Sequence, residues 1–186
     1  MRRFLSFAVI VSMMMAGTAC KKETQPAEEN DNELITTIQL QFTQRGTGDV
    51  STFIWEDADG PGGDLPIMDT IRLNNNQQYD VLVTLWNKSV TPAEDITAEV
   101  KAESANHRVY YEPSVGSGVT IGDFDNGIDG TPLGVASAWT TTLPASGTVA
   151  VVLRHYPDGG KAADDPINSP KSSTDAGAIF EVKIGD

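Results

Sequence analysis

The stretch "ITTIQLQFT" (35–43) alternates apolar and polar side chains, with Ile38, Leu40 and Phe42 on one face and Thr37, Gln39, Gln41 and Thr43 on the other. Strand side chains repeat every two residues and helical ones about every 3.6, so only a strand gathers the apolar set on one side. The same short period returns in "VSTFIWE" (50–56), "TIRLN" (70–74), "HRVYYE" (107–112), "SGVTI" (117–121), "VASAWTTTL" (135–143), "TVAVVLRHY" (148–156) and "AIFEVKI" (178–184). "YDVLVTLWN" (79–87) is apolar on both faces, as a central strand covered on both sides would be. Gly, Asn, Asp and Pro clusters separate the runs, and these residues suit sharp reversals between neighbouring strands. The pattern predicts a mainly β fold: an antiparallel β-sandwich, immunoglobulin-like or jelly-roll-like, built as a single domain from residues 34–186.

One segment departs from this rhythm. "TPAEDITAEVKAESANH" (91–107) opens with Thr91, Pro92 and Glu94, the arrangement of a capping box with proline at the first helical position. Ala, Glu and Lys follow, which predicts one short α-helix around 92–106; the alternation within "ITAEVKA" leaves a strand as the rival. On a helix, Glu99, Glu103 and His107 extend the stripe that begins with Ile96 and Val100. Glu103 and His107 are four residues apart, so both can reach one cation from one face. His155, the other of only two histidines, has the inward parity of Val149, Val151 and Leu153. Glu103, His107 and His155, with Glu99 as an optional fourth, make a candidate ligand set for zinc or a similar divalent ion. The plain alternative is separate roles: His107 at a helix C-terminus, favoured by the dipole, and His155 hydrogen-bonded at the rim.

Two acidic, Gly-rich loops, "DADGPGGD" (57–64) and "DFDNGIDG" (123–130), offer a calcium alternative, although Asp and Gly are also ordinary turn residues. Trp55, Trp86 and Trp139 suggest either a glycan-stacking platform or core packing. The patternless stretch 157–177 is long enough to be a binding element or disorder. No nucleophile elbow, zinc-protease helix, phosphate-binding loop or dinucleotide fingerprint is present, and the chain is not expected to be an enzyme.

The first residues are expected to lie outside the fold. Arg2 and Arg3 precede an apolar run from Phe4 to about Gly17, too short to span a membrane and shaped like a secretory signal of residues 1–19. "GTAC" before and including Cys20 resembles a bacterial lipobox, which implies lipidation of Cys20 and a membrane partner through the N-terminal lipid. Residues 20–33 are polar and read as a flexible tether. Lys21 and Lys22 followed by Glu28, Glu29, Asp31 and Glu33 resemble the export signal of surface lipoproteins. Loss of Arg2 and Arg3 with the leader takes the formal charge from −13 to −15, which argues against nucleic acid as a partner. Cys20 is the only cysteine, so the domain is stabilised without disulfides.

Three stretches, "TPAEDITAEVKAESANH", "DADGPGGD" and "LRHYP" (153–157), resemble small acidic β-sandwich surface lipoproteins of the Bacteroidota type. Relatives of that group often accompany TonB-dependent receptors and are sometimes filed as type 1 periplasmic binding fold proteins. That fold needs two α/β lobes, for which this chain is too short and too rich in strands. The resemblance implies an outer-membrane, surface-exposed lipoprotein, and the candidate ligand set adds the expectation that it captures a metal ion or small ligand as accessory to a transporter. Two other roles stay open: a structural or adhesive protein with calcium-stiffened loops, and a glycan-binding module.

Overall fold

The computed structural model describes residues 34–60 and 63–185; the expected leader, Cys20 and tether lie outside them. The described residues form one compact unit. The chain folds into two packed sheets with one short helix and is mainly β. The first sheet contains β1 (Thr37–Gln44), β2 (Val50–Glu56), β3 (Ile67–Met68), β5 (Gln78–Asn87), β6 (Glu94–Asp95), β8 (Val119–Gly122) and β9 (Ala136–Thr141). Its order is β3-β2-β1-β5-β9-β8, with β6 paired to the end of β5. The second sheet runs β4 (Ile71–Leu73), β11 (Ser173–Ile184), β10 (Ala145–His155) and β7 (His107–Pro113). All pairings are antiparallel except β4 with β11, which are parallel. The second sheet is therefore mixed.

The alternation seen in the sequence is what closes the two sheets on each other. Ile38, Leu40 and Phe42 of β1 are buried, as are Val149, Val151 and Leu153 of β10 and Phe180 and Val182 of β11. Val81, Val83 and Leu85 supply the inward face of β5, which lies centrally between β1 and β9, but its other face is not covered as the sequence suggests, since Asp80 and Leu82 are exposed. Trp139 is fully buried and meets Phe42 and Tyr111 edge-on, with ring centroids 5.0 and 5.8 Å away. Side chains of this size each contribute roughly 1.5–3 kcal/mol through burial, which lets the sandwich hold without a cross-link.

The helix is shorter than the sequence predicts. Expected around 92–106, α1 spans only Thr97–Ala102. Glu94 and Asp95 pair with Asn87 and Trp86 instead, so strand pairing takes Glu94 out of the expected capping box. Asp95 Oδ1 accepts from the backbone N–H of Thr97 at 2.9 Å, the kind of bond that starts a helical turn. Thr97 Oγ1 in turn accepts from Leu85 N–H at 2.8 Å, locking the helix to β5. Ile96 and Val100 are buried beneath it, as their spacing requires. Glu103 ends the helix, and by His107 the chain has become a strand.

Candidate metal centre

The inner face of the second sheet ends in polar side chains. On β10 the buried series Val149, Val151, Leu153 continues to His155, and on β7 the series Tyr111, Val109 continues to His107. Cross-strand pairing sets His107 directly opposite His155, and His155 opposite Ser173 of β11. The two imidazoles stack, with centroids 4.7 Å apart and planes 15° from parallel. Both histidines thus meet at one end of the sandwich.

Asp175 reaches the same place through an irregularity. Leu153 pairs with Ala176 and Arg154 with Thr174, so Asp175 is an extra residue in β11, a β-bulge. In strict alternation Asp175 would share the outward face of Gly177 and Ile179. The bulge re-aims it, as bulges do, and places Oδ2 3.7 Å from His107 Nε2. One ligand atom from each of His107, His155 and Asp175 lies within 4.8 Å of the others, and among the described residues no other histidine, cysteine or acid joins them. Ligand atoms about 2.0–2.2 Å from a tetrahedral zinc lie roughly 3.3–3.6 Å apart, so a small inward adjustment suffices.

The hydrogen bonding of His107 decides which nitrogen it offers. Nδ1 lies 3.2 Å from the carbonyl oxygen of Glu103. A carbonyl only accepts, so Nδ1 carries the proton and the neutral ring presents a bare Nε2. That is how metal-binding imidazoles are oriented by their surroundings. Burial, chiefly, holds the His107 pKa below the usual histidine value, and His155 adds to this, while the Glu103 carbonyl and the Glu103 and Glu99 charges oppose it. At neutral pH the ring is a lone-pair donor facing a carboxylate. The Asp175 side chain is largely buried, and burial pushes its carboxyl up to about 6 against the pull of His155 and Arg154. Its Oδ1 has no hydrogen-bond partner among the described residues, and neither has the buried Ser173 Oγ.

The backbone around these ligands is clamped from outside. Lys161 comes from the long 157–172 loop and has a fully buried side chain. Its Nζ donates to the carbonyls of Ser104 at 2.6 Å and His107 at 2.9 Å, with Asp129 Oδ1 at 3.8 Å. Burial lowers its pKa, opposed mainly by Asp129. Arg108 donates to the carbonyls of Ala162 and Ala163, and Arg154 to those of Ser169 and Ser172. The residues next to both histidines therefore hold the loop in place.

The sequence-predicted ligands divide. His107 and His155 come together, but Glu103 and Glu99 do not join them. Glu103 is about half exposed, and its carboxylate lies 4.0 Å from Nδ1, the nitrogen already committed to a carbonyl. Glu99 is exposed on the helix. Asp175 escaped sequence reasoning, because it sits in a stretch read as loop and has the wrong parity for an inward residue.

The other candidates have structural partners. Asp125 Oδ1 accepts from Ala136 N–H, and Asp129 accepts from the N–H and hydroxyl of Thr131, which are turn-stabilising bonds. Asp59 accepts from Asp64 N–H in the other acidic loop. Trp139 belongs to the core, Trp55 packs against it, and Trp86 donates to Thr84 Oγ1. A scan against protein-family models matches no family, and searches of curated proteins and of solved structures find no match.

Proposed function

We propose that this chain is a non-catalytic binding protein that captures a divalent transition ion, zinc-like in its preference, through His107, His155 and Asp175. The observation that carries this reading is the buried confrontation of a bare imidazole nitrogen with a carboxylate oxygen 3.7 Å away. Two acceptors facing each other across a desolvated gap repel, and a cation between them turns that repulsion into bonding. Two nitrogens and one oxygen suit zinc and its neighbours better than calcium, which takes six to eight oxygens. In this reading Cys20 carries a lipid, the domain stands off the outer membrane on the 20–33 tether, and captured metal passes to a TonB-dependent receptor alongside. The acidic surface fits that role by raising the local concentration of cations.

Isothermal titration of residues 32–186 with zinc tests the binding step. One ion per chain is expected, with affinity falling by at least about 100-fold in His107→Ala and in His155→Ala, more than loss of an orienting partner usually brings. Glu99→Gln is expected to leave affinity within about twofold, since that side chain points to solvent. Binding that survives both histidine substitutions would refute the reading.

A further inference from the structure

Resting on that metal site, we infer that its coordination is open: the fourth position is filled by water, held by Asp175 Oδ1 and Ser173 Oγ and displaceable by an incoming donor. The ligand inventory is the first argument. Only three protein ligand atoms converge among the described residues, and Glu103, whose carboxylate lies 4.0 Å from Nδ1, faces the wrong nitrogen of His107. A zinc site closed for structure has four protein ligands, whereas three leave a position for an exchangeable one.

The second argument is that two of the three partnerless buried side-chain atoms among the described residues, Asp175 Oδ1 and Ser173 Oγ, belong to this end of β11, the third being Asp57 Oδ1. Buried polar groups are nearly always hydrogen-bonded, so each exception calls for a reason. Asp175 Oδ1 belongs to a side chain only 7% exposed, and Ser173 Oγ is buried two residues earlier in the same strand. Ser173 is the direct cross-strand partner of His155, so the two side chains share the inner face. If Asp175 binds the ion through Oδ2, its Oδ1 remains an acceptor within the site. A metal-bound water has two protons to give, and these two oxygens can receive them. No other described group satisfies either atom.

An open position matters for a protein that must hand its ion on. A donor from a carrier can enter the shell, displace the water and pull the ion away, without the site first coming apart. His155 is only partly buried, so such a donor has access from the rim.

Cobalt(II) makes the coordination visible. The chain without its first 31 residues is loaded with cobalt and titrated with imidazole while the visible absorption bands are followed. The expected result is one cobalt per chain and a saturable change in the bands, at unchanged cobalt content, as imidazole replaces water. In Ser173→Ala cobalt should still bind one to one, but with the water less well held imidazole should bind about fivefold tighter. Failure to bind cobalt would refute the metal site itself. Full binding with bands indifferent to imidazole would show a closed shell and overturn this inference alone. An unchanged imidazole affinity in Ser173→Ala would overturn the role given to Ser173.

Discussion

Replacing Asp175 with asparagine is expected to make the metal-free protein more stable at pH 7 while abolishing its zinc binding. The carboxyl is buried, its pKa is raised to about 6, and its Oδ1 has no partner among the described residues. In the unfolded chain it ionises near its ordinary value of 3.8. Between about pH 4 and 6 the folded state therefore holds more protons than the unfolded one, so stability falls as pH rises through that window. By pH 7 the whole penalty is present, and its removal should raise stability by about 1–3 kcal/mol. The gain should fade below about pH 4, where the carboxyl is protonated in both states. Zinc affinity should drop by about 1,000-fold or more, because a neutral amide oxygen replaces an anionic ligand. Urea denaturation at pH 7 and pH 4, with and without zinc, reads both effects. A destabilised metal-free variant would mean that Asp175 is there for the fold.

Lys161→Met is expected to destabilise the domain by about 2–4 kcal/mol. The methionine fills most of the volume but leaves the carbonyls of Ser104 and His107 buried without a donor. Each such loss costs about 1–3 kcal/mol, partly offset because a desolvated ammonium is also removed. Asp129 loses its nearby cation as well. The midpoint of urea unfolding should fall with an unchanged m-value, marking loss of stability without loss of cooperativity. Zinc affinity should fall too, by about tenfold, since the backbone of His107 is no longer tied down. A change below about 0.5 kcal/mol would show that the ammonium's desolvation cancels its bonds.

What the sequence made legible follows from which interactions are local. Alternation along β1, β10 and β11 is set by one period and one buried face, so both the sandwich and the inward parity of His155 could be read. The helix at 92–106 could be read only in part. Its buried pair Ile96 and Val100 was visible, but the pairing of Glu94 and Asp95 with β5 is a contact across the sheet and leaves no mark in local pattern. The sequence leaves open whether His107 meets His155: the helix ends near Glu103, and it is the β7–β10 register, not a helical stripe, that brings the rings together. Asp175 was hidden because a bulge inverts parity, and a bulge is defined by the neighbouring strand. Lys161 was equally silent, as burial of a loop lysine depends on carbonyls more than fifty residues away.

The central claim is that two histidines and Asp175 bind one transition ion. X-ray absorption at the zinc edge, on protein loaded to one equivalent and freed of excess metal, addresses it most directly. The expected spectrum shows two imidazole nitrogens and light oxygen donors at about 2.0–2.2 Å. Its imidazole signal should be halved in His155→Ala, to the extent that this variant still holds zinc. A shell of oxygens without imidazole scattering, or zinc lost on gel filtration, would contradict the account.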